Sequence, residues 1–88
     1  MTLGQHHARI AALEFLVVQL LANNCMRAAD PIVAARALKD AGDLHLGALL
    51  SHAADDEQRS MAAEIGVCIT MLADMVVAEV TSRPANAP

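Results

Sequence analysis

The stretch Leu13–Leu21, which reads LEFLVVQLL, is the most informative segment of this chain. Wound into a helix, its apolar residues lie on every side, and only Glu14 and Gln19 are polar. A surface helix of a small monomer normally carries one apolar stripe and one polar face. Because a chain of 88 residues has little material with which to cover such a helix, the stretch predicts that a second chain covers it.

The overall composition leads to the same expectation. The chain is 56% hydrophobic and contains a single aromatic residue, Phe15. Counted with its glycines, the apolar share is roughly 60%, against about 45–50% in typical globular proteins. The length fits one domain, which we place at residues 1–82, with a flexible tail at residues 83–88. The excess apolar surface of this domain is expected to be buried against a partner.

The charged residues argue against nucleic acid and membrane partners. The net charge is −4, and the six basic residues are scattered along the chain: Arg9, Arg27, Arg36, Lys39, Arg59 and Arg83. Binding to phosphates requires clustered cations, and docking on anionic lipid requires a cationic helix face. No uninterrupted apolar run reaches the roughly 18–20 residues of a spanning helix. We therefore expect no nucleic acid partner and no membrane partner.

The cysteines and the first residues favour a cytoplasmic location. Cys25 and Cys68 are 43 positions apart, a spacing that matches no metal or redox motif. The first residues lack the cationic leader and the apolar run of a signal peptide. We expect a cytoplasmic protein whose thiols stay reduced and serve as small apolar side chains in a core or interface.

Helix signals divide the chain into three or four helices. The first is expected to run from about residue 3 or residue 5 to residue 22, with its stop at Asn23-Asn24. A largely apolar seam with alternating three- and four-residue steps, as in a coiled coil, runs along this helix. Its residues are Leu3, His6, Ile10, Leu13, Val17 and Leu20. The second helix is expected to begin at Asp30-Pro31, a capping residue followed by a first-turn proline, and to stop at Gly42.

The number of helices after Gly42 stays open in the sequence. Asp43 is able to cap a short third helix over residues 44–53, although a continuous helix through this region is also possible. The last helix is expected over residues 56–81, with Asp55 as its cap and acidic residues in its first turn. Within it, Ala62, Gly66 and Thr70 are spaced four apart, which favours a close approach of another helix.

The predicted fold class is all-α: a small bundle of three to four helices, with two long antiparallel helices, completed by dimerisation. The first and last helices are expected to supply the core and the interface. The predicted core and interface residues are Leu13, Leu16, Val17, Leu20, Ile65, Ile69, Leu72 and Val76.

No set of residues has the spacing of a catalytic site, so we expect neither an enzyme nor a cofactor. Asp74 and Glu14 are polar residues in apolar surroundings, and we expect both at solvated helix edges. The predicted function is a non-enzymatic helical protein–protein interaction module, a homo-oligomeric adaptor or regulator that binds itself as a homodimer; whether it also binds another protein stays open. The alternative is a ligand- or metal-binding bundle that uses the cysteines and the four histidines, which are His6, His7, His45 and His52.

Overall fold

A computed structural model describes residues 2–84, which form three helices and no strand. Helix α1 spans Leu3–Met26, α2 spans Pro31–Ser51 and α3 spans Asp56–Ser82. The predicted all-α fold class is therefore confirmed, with three helices. Of the predicted tail at 83–88, residues 85–88 lie outside the described residues.

Each helix begins at a side-chain cap that the local sequence supplies. Asp30 accepts a hydrogen bond from the backbone N–H of Val33, and Pro31 occupies the first turn of α2, which confirms the predicted start of that helix. Asp55 accepts from the backbone N–H of Gln58 in the same way at α3. These contacts satisfy donors that would otherwise have no partner inside the helix.

Two predicted helix ends are wrong. Helix α1 passes through Asn23-Asn24 and ends at Met26, because Cys25 still packs in the core. Helix α2 passes through Gly42 and Asp43 to Ser51, so residues 44–53 do not form a separate helix. Gly42 has no positive φ, the conformation that ends a helix at glycine. It lies inside the helix, where its missing side chain makes room for α3.

Helices α2 and α3 form a closely packed antiparallel pair. Gly42 on α2 faces Ile69 on α3, and Leu46, one turn later on α2, faces Gly66, which precedes Ile69 on α3. A Cβ added at Gly42 would lie 2.7 Å from Ile69 Cγ2, and one at Gly66 would lie 2.5 Å from both Leu46 methyl groups. The close helix approach predicted at Gly66 is therefore confirmed.

The core of the single chain is small and built largely from small side chains. It lies where the second half of α1 meets α2 and α3, and its buried residues are Val18, Ala22, Cys25, Ala35, Val76 and Val80. Val76 is the largest side chain that is fully buried among the described residues. Since burial of apolar surface is the main favourable contribution to folding, this core stabilises one chain only modestly.

The chain is open in shape for its size. Its radius of gyration is 15.5 Å, whereas a compact domain of this length has about 12 Å. Its accessible surface is 6428 Å², against about 4,900 Å² for a compact monomer of the same mass. The shortest dimension, 14 Å, has room for no more than two layers of helices, whose axes pack about 8–10 Å apart. The three helices therefore leave broad faces uncovered.

The close helix contacts at Gly42 and Gly66 predict different effects of a Gly→Ala substitution on stability. Each Gly→Ala change gains about 1 kcal/mol of helix propensity. At Gly66 the contacted atoms are the far end of the flexible Leu46 side chain, which is able to move away by a change of rotamer. At Gly42 the contacted atom is a methyl group on the β-carbon of Ile69, whose rotamer is restricted in a helix. We expect Gly66→Ala to keep wild-type stability within about 1 kcal/mol, and Gly42→Ala to lose about 1–2 kcal/mol.

Urea unfolding followed by circular dichroism measures both changes. Ile69→Leu removes the branch methyl group, so the double variant Gly42→Ala/Ile69→Leu should be more stable than Gly42→Ala alone. A Gly42→Ala protein as stable as the wild type would mean that α2 and α3 do not approach this closely.

Candidate interaction surface

Helix α1 has two apolar faces, of which the single chain covers one. Val18, Ala22 and Cys25 face the core, at the spacing of one side of a helix. Four residues on the other side stay open to solvent, and we call them the α1 stripe: Leu13 (59% exposed), Leu16 (54%), Val17 (41%) and Leu20 (68%). The structure thus leaves uncovered the half of the predicted interface set that lies on α1.

The predicted residues on α3 have a different placement. Val76 is fully buried in the core, and Leu72 packs against that core. Ile69 is half-buried and faces Gly42, while Ile65 is exposed. Most of this set is therefore engaged in contacts within one chain.

A different side of α3 carries an open apolar depression, which we call the α3 groove. The α3 groove has a volume of about 750 Å³ and is lined by Leu46, Leu50, Ala63, Gly66, Val67, Thr70, Met71, Asp74, Met75 and Ala78. Val67 is 69% exposed, and Met71 and Met75 are more than 40% exposed. This surface was not predicted from the sequence. Its signal was the spacing of residues 67, 71, 75 and 78, which forms a second stripe along α3.

A second depression lies between α1 and α3 and continues the α3 groove. It has a volume of about 630 Å³ and shares Met75 and Ala78 with the first. Its α1 wall includes Phe15, the single aromatic residue of the chain, which is 59% exposed. Glu14 lines the same wall and is half-buried. An exposed aromatic side chain beside an apolar depression is typical of an interface, where aromatic residues are enriched.

One ion pair borders the α3 groove. Lys39 Nζ on α2 lies 2.7 Å from Asp74 Oδ1 on α3, with both side chains substantially exposed. The hydrogen bond and the negative charge of Asp74 raise the pKa of Lys39. Asp74 is exposed and paired, as its predicted place on a solvated helix edge requires. Pairs this exposed contribute little to stability, so Asp74 marks the polar rim of the groove.

Arg83 fixes the second half of α1 against the end of α3. Its guanidinium donates to Gln19 Oε1 at 2.8 Å, to Asn23 Oδ1 at 2.5 Å and to Glu79 Oε1 at 3.3 Å. Both α1 acceptors lie beyond residue 18, in the half of the helix that also packs in the core. The first half of α1 takes no part in this clamp.

The histidines and cysteines form no cluster. All four histidines are exposed, and His52 Nδ1 lies 2.8 Å from the carbonyl oxygen of Ala48 at the end of α2. Cys25 is buried in the core, whereas Cys68 is exposed. Within residues 2–84, no three His, Cys, Asp or Glu side chains are close enough to hold a metal ion. The metal-binding alternative therefore has no support in the described part of the chain.

Two helices are long and apolar enough to cross a membrane by length and composition alone, namely α1 and α3. In the structure, 17% and 22% of the residues in their most apolar windows are buried. Core helices of soluble proteins pass the same test, although most of their residues are buried. The observation therefore establishes that both helices have much apolar surface to cover, by protein or by lipid.

Comparison of the chain with protein-family models, with curated proteins and with solved structures finds no match.

Proposed function

We propose that this protein is a non-enzymatic, cytoplasmic helical interaction module that functions as a homodimer, in the manner of an adaptor or regulator. The observation that carries the proposal is the α1 stripe. Its four large apolar residues lie on a helix whose opposite side packs in the core. A second chain that covers this stripe completes the bundle that one chain leaves open.

The uncovered surface is large enough for a stable dimer. The chain exposes about 1,500 Å² more than a compact monomer of its mass. A typical specific interface removes about 800 Å² from each partner. The exposed area therefore exceeds what a dimer needs and leaves further surface for another protein partner.

The chemistry of the depressions supports binding rather than catalysis. Their ionisable lining residues are Asp74 in the α3 groove, and Glu14 and Glu79 in the second depression. Asp74 is paired with Lys39, and Glu79 with Arg83. A catalytic pocket combines an acid, a base or a nucleophile with groups that orient them. These depressions instead combine an apolar floor with a sparse polar rim, which is the composition of a protein-binding surface.

A membrane protein is the second candidate, because α1 and α3 have the length and composition of spanning helices. The packing of α2 disfavours this candidate. Helix α2 runs beside α3 from the Lys39–Asp74 ion pair to the contact between Leu46 and Gly66, and it also carries Arg36, Asp40 and Asp43. A charged residue at the bilayer centre costs about 2.5–3.5 kcal/mol or more. Insertion of α3 into lipid would either place these charged residues in the bilayer or separate α2 from α3.

Light scattering on a size-exclusion column, without detergent and over a range of concentrations, tests this proposal. We expect one sharp species of about twice the 9.2 kDa chain mass. A monodisperse monomer would contradict it. Protein that stays in solution only in detergent, and that floats with phosphatidylcholine vesicles, would favour the membrane candidate instead.

A further inference from the structure

We propose that the first half of α1 from one copy lies in the α3 groove of the other copy, and that the exchange is reciprocal. We call residues 3–17 the α1 arm. This inference rests on the proposed homodimer and specifies which two surfaces are in contact in that dimer.

The α1 arm has no place in the core of its own chain. The buried residues of α1 begin at Val18, and none of residues 3–17 is buried. Arg83 holds α1 to α3 only through Gln19 and Asn23. The arm nevertheless carries large, exposed apolar side chains, among them Leu3, Ile10 and Leu13. It therefore requires a covering surface that its own chain does not supply.

The dimensions of the arm and the groove agree. The arm is 15 residues long, which corresponds to about 22 Å of helix at 1.5 Å per residue. The α3 groove runs from Ala63 to Ala78 along α3, also about 22 Å by the same rise. One wall is formed by Leu46 and Leu50 of α2, so a helix lying in the groove would touch two helices at once. The groove thus accepts a helix of the length that the arm offers.

The arm and the groove match as apolar surfaces. Asp74, the one ionisable residue in the lining of the α3 groove, is paired with Lys39 of its own chain, and Glu79 in the adjoining depression is paired with Arg83. These charges are already compensated within one chain, so the surface left to cover is mainly apolar. Burial of that apolar surface is the main favourable contribution to the association of the arm with the groove.

The floor of the groove suits a helical occupant. Met71 and Met75 have flexible, polarizable side chains that adapt to the ridges of a packed helix. Each copy offers one arm and one groove, so two copies related by a two-fold axis satisfy both surfaces. The assembly closes at two chains and leaves no free groove for a third.

Cysteine cross-linking between arm and groove tests the inference. The background is Cys68→Ser, which removes the exposed native thiol. Three arm variants, Ile10→Cys, Leu13→Cys and Leu16→Cys, are each mixed with Met71→Cys under mild oxidation. A disulfide requires Cα atoms within about 7 Å, so we expect at least one arm position to give a mixed disulfide between chains. The matched control is Ala8→Cys, an exposed site on another side of the arm, which should cross-link several-fold less.

The outcomes separate this inference from the proposed homodimer. Mixed disulfides that form between arm and groove, within a species of dimeric mass, support both. A dimer in which Leu13→Cys pairs only with itself, and no arm position pairs with Met71→Cys, overturns the arm-in-groove arrangement and keeps the homodimer. A monomer without cross-links overturns both.

Discussion

Leu20→Asp is expected to convert the dimer into a monomer over the concentrations at which the wild type stays dimeric. Leu20 is 68% exposed in the single chain, so the substitution removes few contacts within that chain. In the proposed dimer, burial of a leucine contributes about 1.5–3 kcal/mol, and the new carboxylate would also lose its water. We expect the free energy of dimerisation to become less favourable by at least about 3 kcal/mol, so the dissociation constant should rise at least 100-fold.

Sedimentation equilibrium and light scattering measure this loss directly. The matched control is Ala8→Asp, which places the same charge at another exposed position of α1 away from the α1 stripe. Ala8→Asp should remain dimeric with the wild-type dissociation constant. Because the core of one chain is small, we also expect the Leu20→Asp monomer to melt at a lower temperature than the wild-type dimer. A Leu20→Asp protein that is folded and as dimeric as the wild type would exclude the α1 stripe from the interface.

Val76→Asp is expected to abolish folding at 25 °C. Val76 is fully buried where the three helices meet, so the substitution places a carboxylate among apolar side chains. The effective penalty for burying an ion is several kcal/mol, and the apolar contribution of the valine is lost as well. Small domains have a free energy of unfolding of only about 5–15 kcal/mol. The two losses together are therefore expected to remove most or all of the stability of this domain.

Far-UV circular dichroism and a thermal scan provide the measurement. Val33→Asp is the matched control, because Val33 is exposed in the first turn of α2, where a carboxylate favours the helix. That variant should keep the wild-type helix content. Val76→Thr, which is close in volume, should remain folded and lose about 1–3 kcal/mol. Cooperative melting of Val76→Asp at the wild-type temperature would mean that the core does not lie where α1, α2 and α3 meet.

Local patterns predicted the helices well and their ends less well. Asp30-Pro31 and Asp55 mark two helix starts, because capping depends on a few neighbouring residues. The ends expected at Asn23 and Gly42 were wrong for a tertiary reason. Cys25 packs in the core, so α1 continues past Asn24. Gly42 lies in the middle of α2 and packs against Ile69 of α3. Asn and glycine therefore end a helix only when packing does not continue it.

The interaction surface was predicted only in part for a similar reason. The stretch Leu13–Leu21 is apolar on all sides, so the exposed α1 stripe follows from any helix built there. Helix α3 also has more than one apolar side, and periodicity alone does not say which side meets α2. The structure turns Ile69 and Val76 inward and leaves Val67 and Met71 open.

An all-helical fold, and more apolar surface than one small domain covers, could both be predicted from the amino acids of this chain. Both properties depend on composition and on the period of 3.6 residues, which the sequence contains directly. Which helix faces remain uncovered could not be predicted in this way, because that depends on contacts between residues that are distant in the sequence. The approach of Leu46 to Gly66, and the clamp from Arg83 to Gln19, orient the three helices and thereby place the α1 arm and the α3 groove at the surface.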